Sequence, residues 1–254
     1  MDKPSNTIAA SVLGLALGAS PIATAQAAEL KVIAGGSMMS ALNRLGPDFE
    51  TASGHKLTIH FDSTPNIIKL ITSGAAFDLV VVPVDVFQDE AAKSHLVKGP
   101  PIDIARVGYG VAVRAGAPKP DLSTSVALKK ALLDAASIAC VPSSAAGAYI
   151  MKVFERLGIA DEMKTKTKAV ATPALIAPAV ASGDAELGVF LTNVLIAPGV
   201  ELAGPFPAEL QQELVFTSAV AADSPQAEAA KALIDYLRTE AARAALIAAG
   251  MTPG

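Results

Sequence analysis

Lys31-Val32-Ile33-Ala34-Gly35-Gly36-Ser37-Met38-Met39-Ser40-Ala41-Leu42 carries the local pattern from which the fold can be read. Leu30–Ala34, apolar but for Lys31, reads as a strand. Gly35-Gly36-Ser37 ends it with residues that turn easily and let another chain approach. Met38–Ala52 then reads as a helix, with Pro47 expected to kink it. Strand, small-residue turn and helix in this order make the first half of a βαβ unit.

The same unit recurs outward along the chain. Lys56–Phe61 alternates Leu57, Ile59 and Phe61 against Lys56, Thr58 and His60, a half-buried strand, and Pro65–Ser73 follows as a helix. Phe77–Val82 reads as a fully buried strand and Val84–Ser94 as a helix. Beyond Gly108 come a strand at Tyr109–Arg114, a helix at Ser125–Ala135 capped by Ser123 or Thr124, a strand at Ile138–Val141 and a helix at Ala145–Leu157 ending at Gly158. Strands near Lys168–Ala171, Glu186–Phe190 and Glu213–Val220 are read with helices at Pro173–Ala181, Pro225–Arg238 and Glu240–Ala249. This alternation implies an α/β fold with a parallel sheet covered on both faces. One set of units precedes residue 108 and a second runs from 109 to 214, so two lobes with a ligand cleft between them are expected.

Composition narrows the function. The 254 residues are 52% hydrophobic and 17% charged, which suits a large buried core and excludes a disordered chain. A formal net charge of -4 gives no basic stripe for nucleic acid. Aromatics at 4%, with no Trp, leave few stacking platforms for sugars or single strands. One Cys excludes an intrachain disulfide, and three scattered His residues do not make a metal site. Neither metal nor cofactor is expected. Cys140 falls inside a buried strand pattern, and His55 and His95 are expected in solvent. No Walker loop, G-x-S-x-G elbow or H-E-x-x-H helix is present.

Residues 1–27 read as an export leader. Lys3 precedes an apolar stretch from Ile8 to Ala19, and Ala25-Gln26-Ala27 forms an A-x-A cleavage pattern that leaves Ala28 as the new terminus. The apolar stretch is shorter than the roughly 20 residues a spanning helix needs. A soluble protein outside the cytoplasm, in the periplasm, is the expected product.

Four segments place small polar residues between a strand end and a helix start: Gly35-Gly36-Ser37, Ser63-Thr64-Pro65, Pro142-Ser143-Ser144-Ala145-Ala146-Gly147, and Leu191-Thr192-Asn193. Helix N-termini offer free N–H groups and a partial positive charge to an anion. Plain capping explains any one of them equally well; four in one chain, two from each lobe, favour a ligand role. The segments hold no Lys or Arg, so a small anion would be bound by amides and hydroxyls alone. Asp62 beside Ser63 either points away from such an anion or serves as a base on it. Tyr149 fits core packing as well as ligand contact, and His60 reads as a surface or packed residue.

From these residues the chain resembles the type II periplasmic binding proteins, in particular those like the molybdate-binding component of ABC importers. The matching stretches are Lys31–Leu42, Phe61-Asp62-Ser63-Thr64, Gly74-Ala75-Ala76-Phe77-Asp78-Leu79-Val80 and Glu186-Leu187-Gly188-Val189-Phe190. The resemblance implies two lobes that close on a ligand, 28–107 with 217–254 and 108–216, with crossings near Arg106–Tyr109 and Val215–Ser218. It implies an inner-membrane permease as partner and a monomer as the working form. It carries oxyanion donors onto Ser37, onto Thr64 with Ser63 as neighbour, and onto the amide of Ala146. Two donor positions fall on Pro173, which has no N–H, and on Leu191, which has no hydroxyl; this argues against molybdate, with Thr192 and Asn193 as replacements for one of them.

The stretches Val111–Asp121 and Pro198–Pro207 are similar to a divergent branch, the periplasmic aconitate isomerases. That similarity implies a base for allylic proton transfer, with Asp62 first and His60 or Tyr149 behind it. A tricarboxylate would also recruit an Arg, and Arg106 and Arg114 are within expected reach. Capture of a small anion for a permease and isomerisation of an unsaturated polycarboxylate therefore stand as two readings.

Overall fold

The computed structural model describes Met1, residues 27–97 and residues 100–254. The leader read at 1–27 lies almost wholly outside them. No helix among the described residues is long and apolar enough to cross a membrane.

In chain order the first lobe opens with β1 (Glu29–Gly35), α1 (Met39–Ser53), β2 (Lys56–Asp62), α2 (Thr64–Thr72), β3 (Leu79–Pro83) and α3 (Glu90–Ser94). The strand β4 (Ile102–Arg114) leads to α4 (Ser125–Asp134), β5 (Ile138–Cys140), α5 (Ala145–Leu157), α6 (Ala160–Lys166), β6 (Thr167–Ala169), α7 (Ile176–Ser182), β7 (Leu187–Leu191) and β8 (Val200–Pro205). The chain ends in β9 (Glu213–Val220), α8 (Ala227–Leu237), α9 (Glu240–Ala248) and β10 (Thr252–Pro253).

The strands run in the order β2-β1-β3-β9-β4-β7-β5-β6, with β8 and β10 also bonded to β4. Each βαβ set is parallel: β1 with β2 and β3, β5 with β6 and β7. β9 and β4 are antiparallel to their neighbours, so the sheets are mixed rather than purely parallel. The two lobes meet along one strand. Ile102–Gly108 of β4 pairs with β9, and Tyr109–Val113 pairs with β7. The crossing expected at Arg106–Tyr109 therefore coincides with the change of pairing partner. The return expected at Val215–Ser218 lies on β9, where Val215 pairs with Arg106 and Phe216 with Ala105 and Pro83, so the two expected crossings run side by side in one ladder.

Gln211 marks the place where β4 changes partners. Its Oε1 accepts from the Tyr109 N–H at 2.8 Å and its Nε2 donates to the Tyr109 carbonyl at 3.0 Å. One side chain thus engages both backbone groups of Tyr109, whose carbonyl also accepts from Phe206 N–H at 2.9 Å.

Local chemistry explains where elements begin and end. α1 keeps Pro47 in its interior and ends at left-handed Gly54. The helix expected over Val84–Ser94 is split, because Asp89 leaves the helical conformation and caps α3 by accepting from Ala92 N–H. Thr124 caps α4 through Ala127 N–H, and left-handed Gly158 ends α5. Buried aliphatic residues of β1 and β3 form the two faces of the first-lobe core: Val32, Ala34, Leu79 and Val81 lie towards α1, and Ile33, Val80 and Val82 towards α2.

Candidate functional site

The carboxyl ends of β1, β2 and β3 carry Gly35, Asp62 and Pro83, and all three line one crevice. Parallel strands present their following turns at this edge, which is where open α/β sheets take ligands. The second lobe contributes Ser144, Ala146, Pro173 and Phe190, and β9 contributes Leu214 and Phe216. Gly36, Ser37, Ser63 and Thr64 complete the wall. No Lys, Arg or His among the described residues lines it. The crevice measures about 20 Å³, room for about one water molecule.

Three helices of eight or more residues begin here. α1 follows the Gly36–Met38 turn, α2 opens at Thr64 with Pro65 in its first turn, and α5 opens after Ser144. Each start contributes roughly half a positive charge. Ser144 Oγ accepts from Gly147 N–H at 3.0 Å and donates to Val141 O at 2.8 Å. Ala145 N–H donates across the crevice to Thr64 Oγ1 at 3.2 Å. The amides on either side of Ala146 are thus engaged, and the Ala146 N–H stands between them at the wall.

Asp62 lines the crevice, but its carboxylate is already engaged. Oδ1 accepts from Ser63 N–H at 2.7 Å and from Asn66 Nδ2 at 2.8 Å; Oδ2 lies 3.5 Å from His60 Nε2. Partial burial works to raise its pKa, but the bonds from Asn66 and Ser63 and the nearby His60 prevail and hold it below 3.8. A carboxylate held this way is a weak base.

Six of the nine expected ligand residues share the crevice: Gly36, Ser37, Ser63, Thr64, Ser144 and Ala146. Gly147 lies just behind it, where a Cβ would sit 1.9 Å from Val141 O; only glycine fits against that carbonyl. Thr192 is outside the wall, its N–H bonded to Gly108 O. Asn193 is buried behind the Ser37 loop, with Nδ2 donating to Ser37 O at 2.7 Å. Tyr149 is also outside: its hydroxyl donates to Leu210 O at 2.7 Å, and its ring packs 4.7 Å from that of Tyr109. His60 is more than half exposed.

Neither arginine expected within reach lines the crevice. Arg106 pairs with Asp103, and Arg114 lies against Gly183 in a groove on the second lobe. His55, expected in solvent, instead accepts from Ala28 N–H at 3.1 Å. The apolar wall residues Pro83, Leu214 and Phe216 were not singled out in the sequence. Pro83 carried a signal, since it closes the apolar run Leu79–Val82 just where the first two strands place their turns. Leu214 and Phe216 carried none, because the pairing of β9 with β4 and β3 is what brings them to the crevice.

The fold and crevice define a two-lobe α/β binding protein of the periplasmic type. The chain belongs to the bacterial extracellular solute-binding proteins, whose family pattern it matches over residues 30–252. It is 30% identical over 248 residues to an aconitate isomerase of a Pseudomonas species, covering 94% of either chain. It is 28% identical over 233 residues to the molybdate-binding protein ModA of Azotobacter vinelandii, covering 89% of this chain and 91% of that one. The solved structure of the Azotobacter vinelandii periplasmic molybdate-binding protein superposes with a TM-score of 0.74 at 20% identity, over 88% of this chain and 98% of that chain.

Proposed function

We propose that this protein captures a small anion outside the inner membrane and presents it to an ABC-type permease. The observation that carries the reading is the crevice wall: turns from both lobes converge at three helix starts, with hydroxyls and amides and without a cationic side chain. Ser37, Ser63, Thr64 and the Ala146 N–H are the proposed donors, each charge-assisted bond contributing about 1.5–3 kcal/mol. The wall of Pro83, Pro173, Phe190, Leu214 and Phe216 offers no donors, which favours a carboxylate on a carbon body over a tetrahedral oxyanion that needs donors all round. Because about 20 Å³ admits no such ligand, the lobes part for entry. Export by the leader at 1–27, with cleavage after Ala27, and action as a monomer belong to the same proposal. Titration calorimetry with molybdate, tungstate, sulfate, phosphate, fumarate and both aconitate isomers tests it. A heat of binding for one of them is expected; no heat and no thermal shift with any would overturn it.

The identity shared with an aconitate isomerase supports a second reading, allylic proton transfer on an unsaturated polycarboxylate. Asp62 would be the base, yet its doubly bonded Oδ1, the His60 ring 3.5 Å from its Oδ2 and its lowered pKa favour capture over catalysis. Incubation with cis- or trans-aconitate followed by chromatography decides: interconversion above blank that disappears in Asp62→Asn would establish the enzyme.

A further inference from the structure

Asn193 was expected to donate to the ligand, and its position assigns it different work. It is 5% exposed, and its Nδ2 donates from the second lobe to the main-chain oxygen of Ser37 in the first, 156 residues away, at 2.7 Å. Its Oδ1 is buried with no partner. Beside it, Ala145 N–H of the second lobe donates to Thr64 Oγ1 of the first. Pro173 of the second lobe packs so tightly on Gly36 that a Cβ there would lie 3.0 Å from its Cδ. These contacts all hold loops of the proposed crevice wall.

We infer that Asn193 is a positioning residue that latches the two lobes together and sets how far the unliganded protein closes. The Ser37 carbonyl held by Asn193 fixes the peptide that follows Ser37, and so orients the start of α1. Thr64 Oγ1 accepts from Ala145 when the lobes meet, which leaves its single hydroxyl proton to point elsewhere and donate to an anion. Closure therefore prepares the Thr64 hydroxyl as a donor. The same amide that closes the latch also keeps it reversible. Opening loses the bond from Nδ2 but releases the unpartnered Oδ1 to water, and the second change offsets part of the first.

The test is small-angle X-ray scattering on the ligand-free protein, so its outcome does not depend on whether the capture reading stands. Asn193→Ala and Asn193→Asp are expected to raise the radius of gyration and shift the distance distribution to longer separations. The Asp variant should do so more strongly, because its carboxylate would face the Ser37 carbonyl. Thr64→Val removes the second bond and is expected to shift the distribution in the same direction, and the pair of changes further than either alone. Scattering identical to wild type in both Asn193 variants would overturn the inference. So would a lower melting temperature with unchanged scattering, the signature of a residue that only packs. Should Asn193→Asp fail to fold, Asn193→Ala and Thr64→Val decide by the same criteria.

Discussion

The crevice between the lobes and the groove on the second lobe make an instructive pair. The groove is far larger, about 830 Å³ against about 20 Å³, and a search by size alone would choose it. The chemistry points the other way. The groove lies at the amino-terminal ends of β5 and β7, lined by Ser137, Glu186 and Leu187, with Arg114, Lys119 and Asp134 on its walls. Part of that charge is spent locally: Lys119 pairs with Glu201, Asp134 with Lys130, and Glu186 accepts from Ala136 N–H. The crevice sits at carboxyl ends of strands and amino ends of helices, where backbone groups are turned towards a shared space. Its small volume reflects how closely loops of the two lobes meet, through the Asn193–Ser37 and Ala145–Thr64 bonds.

The comparison can be broken most decisively by binding. For whichever anion of the panel binds, Ser37→Ala and Thr64→Val should each weaken affinity by about tenfold to a hundredfold, the value of one charge-assisted hydrogen bond. Arg114→Ala in the groove should leave calorimetric affinity unchanged. Equal losses from both regions would show that the groove takes part.

A second effect separates the two regions by stability. Gly147→Ala drives a Cβ to 1.9 Å from Val141 O and 2.7 Å from Pro142 Cα, backbone that cannot swing aside. It should cost about 3 kcal/mol in urea denaturation. Gly116, in the groove, has φ +78° but open space around its Cβ position, so Gly116→Ala should cost only about 1 kcal/mol.

Acid sharpens the role of Asp62. Its folded-state pKa is lowered, so its contribution to stability is complete above its ordinary value of 3.8 and is lost as pH falls through the folded value. Asn66→Ala removes one of the bonds that lower it, so melting curves of wild type and variant should differ at pH 6, and the difference should shrink as pH falls below 3.8. The smallest effect concerns Cys140, whose thiol burial pushes up to about 12. It should resist thiol reagents at pH 8 in the folded protein and react once the chain is unfolded in guanidinium.

The legible parts of the sequence were those with local causes. The strand, Gly-Gly-Ser turn and helix at Leu30–Ser53 follow from apolar spacing and from residues without bulk, and the structure places them within a residue or two of that reading. Six crevice residues could be named because each sits in a turn between a strand and a helix. β8 escaped notice, since Val200–Pro205 contains Gly204 and Pro205 and depends on β4 for its ladder. The first half of β4 escaped for a related reason: Ile102–Gly108 is unevenly buried and is held by β9, more than a hundred residues on.

Composition, apolar periodicity and turn chemistry by themselves determined an α/β chain whose strand-to-helix turns carry hydroxyls and amides without cations. Those are short-range properties, written within a few residues of one another. Only the tertiary structure decided that Ser37, Thr64 and Ala146 face one crevice, that Asn193 clasps the opposite lobe instead of lining it, and that Tyr149, Arg106 and Arg114 are engaged elsewhere. Apart from the Arg106–Asp103 pair, three residues apart, those facts join residues separated by tens of positions to more than a hundred. Their separation is set by how β4 and β9 pair across the lobes, and no local pattern specifies a pairing between strands that far apart.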